Sequence, residues 1–102
     1  FLPQGATHLG DSLDKHPEFR DKLHQLFLQT KVTAIFAGHE HTYKRLERDG
    51  LPYIITGGAG APLYGKEAAN HVMILNVDGT HTGAKVIDRE GMMIDEFLLS
   101  NK

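Results

Sequence analysis

Two histidines one residue apart, His39 and His41, follow a glycine at the end of an apolar run from Val32 to Ala37. Neutral imidazole is a common ligand for zinc, iron and manganese, and two rings on a tight turn can converge on one side of it. The chain holds seven histidines in 102 residues, so the pair alone carries little weight. Its context carries more. The preceding run has almost no polar residue, which suits a strand covered on both faces, and Gly38 allows a sharp exit that a side chain would obstruct. The alternative for these residues is a solvated loop with two histidines.

The elements that must hold this turn are legible on either side. Phe1 to Asp14 is irregular, broken by Pro3, Gly5 and Gly10, and reads as an exposed connection. From Pro17 to about Gln29, Phe19, Leu23, Leu26 and Phe27 fall on one helical stripe. Pro17 suits the first turn, where its missing N–H costs nothing, and Glu18 lies near the positive end of the dipole. Asp21, Lys22 and Gln25 then face outward, with His16 and His24 on the surface. A helix feeding a buried strand is half of a layered α/β unit.

After the turn the pattern becomes β-rich. Thr42 to Arg48 and Pro52 to Thr56 flank Asp49-Gly50, a strong hairpin signal. Gly57-Gly58-Ala59-Gly60-Ala61-Pro62 is not a phosphate-binding P-loop, since no Gly-Lys-Ser/Thr follows. Its small residues suit a close backbone approach to the histidine turn. From Asn70 the chain reads as a three-strand meander, Val72 to Val77, Thr82 to Asp88 and Met92 to Leu99, with Met92 and Met93 filling gaps in the core. His71 and His81 stand at strand ends and receive no chemistry.

Composition narrows the function classes. A chain of 102 residues, 40% hydrophobic and 24% charged, suits one small globular domain, residues 1–102. A net charge of −2 leaves no electrostatic footprint for nucleic acid or an anionic membrane, and no apolar run approaches a spanning length. The absence of cysteine removes disulfides and thiol chemistry and is compatible with either redox environment. A start at Phe1 reads as a processed chain or a piece of a longer one.

Gly38-His39-Glu40-His41, followed by Tyr43 and Arg45, resembles the last metal-binding motif of calcineurin-like metallophosphoesterases, in the form used by the purple acid phosphatase branch. Tyr53 to Tyr64 is similar to the strand and glycine-rich loop after that motif, and the resemblance runs from about His8 to Tyr64. It implies an α/β fold: the C-terminal part of a layered α/β/β/α sandwich, one helix and then a β-rich half, with the N-terminal half missing. It further implies metal-assisted hydrolysis of a phosphoester by two ions drawn from iron, zinc or manganese, His39 holding one and His41 the other. His8 falls near a position that contacts the substrate phosphate, and Arg45 is a second candidate for the substrate. Tyr43 could pack beside the turn, Lys44 reads as solvated, and solvent exposure is the simple expectation for Glu40.

The aspartate-containing motifs that bridge two metals in the family are absent here, so this chain alone is expected to bind metal weakly and not to be an efficient phosphatase. Open sheet edges and apolar faces would favour a homodimer, strand exchange or association with the missing half. The competing reading is a non-catalytic β-rich binding or interaction module.

Overall fold

The computed structural model describes residues 12–60, 62 and 70–100. His8 lies outside them. A single 3-10 turn, Leu13–Lys15, leads into helix α1, Pro17–Gln29. The strands are β1 Ile35–Ala37, β2 Tyr43–Arg48, β3 Leu51–Thr56, β4 His71–Val77, β5 His81–Asp88 and β6 Met93–Ser100. They form two three-stranded sheets, ordered β1-β3-β2 and β4-β5-β6. One helix followed by β-rich sheets is the layered α/β arrangement expected from the sequence.

The first sheet is built around β3, whose Leu51, Tyr53, Ile54 and Ile55 are buried. β1 runs parallel to β3 with Phe36 opposite Ile54, and β2 runs antiparallel with Leu46 opposite Tyr53. The β2–β3 hairpin turns on Asp49 and Gly50, at φ 51° and 78°. Positive φ at both central residues matches the right-handed twist of the flanking strands, which is why Asp-Gly marked this hairpin in the sequence. The expectation that β1 is covered on both faces does not hold: Phe36 is exposed, and among the described residues β1 pairs only with β3.

The second sheet is an antiparallel meander. β5 sends Thr82, Ala84 and Val86 to a buried face, with Leu99, Phe97 and Asp95 opposite them on β6. Both turns are closed by aspartate side chains. Asp78 Oδ1 accepts the N–H groups of Thr80 and His81 at 2.8 and 2.7 Å, and Asp88 Oδ1 accepts those of Glu90 and Met92 at 2.9 Å each. These side chains replace the backbone partners that a turn leaves unmet. The three expected strands are all present, with a register shift between Val86 and Ile87. Met92 and Met93, expected in the core, are instead exposed at the mouth of the last turn and the start of β6.

Helix α1 corrects a second expectation. Its one buried residue is His24, at 0% exposure, whereas Phe19 and Leu26 of the apolar stripe are exposed. The helix therefore docks through a face centred on His24, rotated from the stripe that hydrophobic periodicity selects. The reason is polar. His24 Nε2 donates to Asp49 Oδ2 at 2.8 Å, and the Tyr53 hydroxyl meets Nδ1 at 2.6 Å. A histidine satisfied at both nitrogens can be buried without the desolvation cost of an unpaired one. Arg48 extends the attachment by donating to Asp21 on the helix at 3.2 Å.

The sheets meet through a second polar cluster. Tyr43 on β2 donates to Asp95 Oδ2 at 2.7 Å, Arg45 donates Nε to Oδ2 at 3.0 Å and Nη2 to Oδ1 at 3.2 Å, and its guanidinium lies 4.4 Å from the Phe97 ring centre. Burial first, and then the Asp95 carboxylate, push the Tyr43 hydroxyl well above its usual range, so it remains a donor. The Cα radius of gyration is 14.2 Å, against about 13 Å expected for a compact domain of this length. With extents of 39 × 38 × 16 Å, the molecule is a flattened slab rather than a closed sandwich.

Candidate metal centre

β1 and β3 are parallel, so their carboxyl ends lie at the same edge of the first sheet. The histidine turn leaves β1 there, and the glycine-rich loop leaves β3 beside it. Thr42 N–H donates to the Glu40 carbonyl at 2.9 Å, closing the turn, and Gly57 N–H donates to the Thr42 carbonyl at 3.1 Å, joining the loop to it. A Cβ at Gly57 would collide with the Glu40 carbonyl group. The close approach expected of this loop is therefore present, and Gly57 is the residue that permits it.

Gly38 has the weaker claim. A Cβ there would meet nothing within 4 Å, and Gly38 is not among the positive-φ glycines. The left-handed residue of the turn is His39 itself, at φ 73°. A bulky residue in that region costs of order 1–3 kcal/mol and persists only where its surroundings hold it, a condition met disproportionately at binding and catalytic sites. Glu40, expected in solvent, is 3% exposed. It turns inward because the chain folds back over it onto Gly57, leaving His39 exposed and His41 half-exposed.

His41 Nδ1 lies 2.6 Å from the Pro62 carbonyl oxygen. A carbonyl only accepts, so Nδ1 carries the proton and Nε2 the lone pair. Metal-ligating histidines characteristically donate their other ring N–H in this way. The His41 ring is therefore oriented as a metal-ligating histidine would be. Among the described residues, no group of three or more His, Cys, Asp or Glu that could hold a metal ion is present.

Arg45, the candidate substrate contact, is held by Asp95 in the inter-sheet cluster. Burial opposes charge on the Asp95 carboxyl, but hydrogen bonds from Tyr43, Arg45 and the Glu96 N–H prevail and hold it below the usual carboxylate range. His71, assigned no chemistry from sequence, is 2% exposed, with Nε2 2.8 Å from the Thr56 hydroxyl and its ring edge-on to Tyr43 at 5.5 Å. Its N–H and the Asn70 side chain donate to the Gly58 carbonyl at 3.3 and 3.0 Å, which ties the glycine-rich loop to β4. Sequence reasoning missed His24, His71 and Asp95 as organising residues. None stands in a ligand spacing, and only the helical spacing of Arg20, His24 and Phe27 hints at the buried face of α1.

Comparison with known proteins bears on the fold. A purple acid phosphatase of Glycine max is 43% identical over 49 residues, spanning 47% of this chain and 11% of that protein. Purple acid phosphatase 19 of Arabidopsis thaliana is 39% identical over 49 residues, spanning 47% of this chain and 13% of that protein. Among solved structures, vacuolar protein sorting 29 of Cryptosporidium parvum matches at TM-score 0.55 and 20% identity, over 80% of this chain and 44% of that one. The zinc complex of vacuolar protein sorting 29 from Entamoeba histolytica matches at TM-score 0.54 and 19% identity, over 81% and 47%.

The chain has the C-terminal part of the calcineurin-like metallophosphoesterase fold.

Within that metallophosphoesterase fold, its sequence likeness is to the purple acid phosphatases, and it spans about an eighth of the curated relatives' length. No family model matches the chain. The solved metallophosphoesterase-fold neighbours, at 18–20% identity, carry the fold alone.

Proposed function

We propose that this chain supplies His39 and His41 as ligands to the two metal ions of a dinuclear phosphoesterase, the remaining ligands coming from the N-terminal part of the fold. The observation that carries this reading is the placement of both histidines on one turn at the carboxyl end of two parallel strands, closed by Thr42 and backed by Gly57. Bound there, the ions would lower the pKa of a coordinated water and neutralise charge on the phosphoryl oxygens.

The roles of the chain's own residues follow from their places. His39 and His41 hold the ligand nitrogens on a turn whose backbone is closed by Thr42 and backed by Gly57. His8 is the proposed contact to the substrate phosphate, as imidazolium pairing with a phosphoryl oxygen or protonating the leaving alkoxide. Arg45, engaged by Asp95, would have to exchange a carboxylate for a phosphate to touch substrate, so we assign it the joining of the two sheets.

Calorimetric titration of the chain with Zn²⁺ or Mn²⁺ tests the ligand assignment. Weak binding is expected, reduced in His39→Ala and in His41→Ala and abolished in the double variant. Undiminished binding by the double variant would overturn it. Hydrolysis of a phosphomonoester by the isolated chain is expected to be negligible; strong metal-dependent turnover lost in His39→Ala would show the chain to be catalytically sufficient.

The second reading, a non-catalytic interaction module, draws on the exposed apolar side chains of β4 and β6 and on the likeness to vacuolar protein sorting proteins. It predicts that replacing His39 and His41 changes neither metal uptake nor partner binding.

A further inference from the structure

We propose that Pro62, beyond the glycine-rich stretch that begins at Gly57, is a positioning residue for His41: its carbonyl holds the ring in the Nδ1–H form and so commits Nε2 to the metal. This rests on the metal reading above and adds a tautomer-setting role for a loop that carries no ligand of its own. An unrestrained histidine side chain prefers its proton on Nε2. The 2.6 Å contact between Nδ1 and the Pro62 oxygen reverses that preference, because an oxygen without a proton can only accept.

The loop is braced where this task requires it. Gly57 donates to the Thr42 carbonyl and lies so close under the Glu40 carbonyl that no side chain fits. One residue on, the Gly58 carbonyl is held by the His71 N–H and by Asn70 Nδ2. The start of the loop is therefore locked both to the histidine turn and to β4, and its far end delivers a carbonyl to the second histidine. Removing such an outer partner typically costs about 10–100-fold in metal affinity.

Long-range ¹H–¹⁵N correlation spectra of the metal-free chain, at a pH where the imidazoles are neutral, read the tautomer directly. His41 is expected as Nδ1–H; a dominant Nε2–H form would overturn the proposal without any variant having to fold. Replacing His41 by Nδ1-methylhistidine keeps the Nε2 lone pair and removes the donor. Zinc affinity measured by calorimetry is expected to fall about 10–100-fold, and unchanged affinity would overturn the positioning role. Gly57→Ala is expected to shift His41 toward Nε2–H; retention of Nδ1–H would overturn the role of the loop. Zinc binding by a wild-type chain whose His41 is Nε2–H would sink this inference and leave the ligand assignment standing. Absence of zinc binding despite an Nδ1–H His41 would sink the metal role itself.

Discussion

Two glycines and two histidines show how little residue type alone decides. Gly38 precedes the histidine turn yet has open space where a Cβ would go, whereas Gly57, nineteen positions later, has the Glu40 carbonyl against it. Gly38→Ala is accordingly expected to leave stability within about 1 kcal/mol of wild type. Gly57→Ala is expected to shift the amide resonances of residues 39–42, seen in a ¹H–¹⁵N correlation spectrum. His16 and His24 both read as surface residues, and His16 is exposed, but His24 is sealed between Tyr53 and Asp49. His24→Ala removes a buried side chain together with its hydrogen bonds to Tyr53 and Asp49, so a loss of about 2–4 kcal/mol is expected in urea denaturation, against about 0.5 or less for His16→Ala.

Between elements, polar clusters make the attachments that apolar packing makes in a closed core. The helix is fastened to the β2–β3 hairpin by His24 and Asp21, and the two sheets are joined where Tyr43 and Arg45 meet Asp95. Asp95→Asn weakens the second junction by about 1 kcal/mol, a modest figure because Arg45 is partly screened by solvent. Its pH dependence has a definite sign. The folded state holds the Asp95 carboxyl below its ordinary value near 3.8, so its contribution is complete above that value and is lost as pH falls through the lower folded-state pKa. The stability difference between wild type and Asp95→Asn should therefore be constant near neutrality and shrink below about pH 4. A difference that grew toward acid would contradict the clamp.

At the scale of the molecule, the surface is what a partial sandwich leaves behind. β4 carries Val72, Ile74, Leu75 and Val77 without a charge, all exposed, with Val77 at 68%; its outer edge has no strand beside it among the described residues. Val72 and Ile74 share a face with Leu98 of β6, opposite to the face bearing Thr82, Ala84 and Val86. A long, flat, apolar edge is a template for pairing, and β2, with Lys44, Arg45, Glu47 and Arg48, is guarded by contrast. Light scattering is expected to show concentration-dependent association of the isolated chain, diminished by Ile74→Lys. A monomer at all concentrations would favour the interaction-module reading.

The sequence by itself determined the elements. Asp49-Gly50 called for a two-residue hairpin, apolar alternation bounded by Asp78-Gly79 and Glu90-Gly91 called for the meander, and the apolar run ending at Ala37 called for a strand leading into the turn that bears His39 and His41. Each is a local property, set by backbone preference or short-range periodicity. Tertiary structure decided what those elements present to one another. It put His24 inside and Phe19 outside, because a doubly bonded histidine outweighed the apolar stripe of α1. It buried Glu40, because the chain returns over that residue at Gly57. It also gave Arg45 to Asp95, fifty residues away in sequence, a partner that no local pattern encodes.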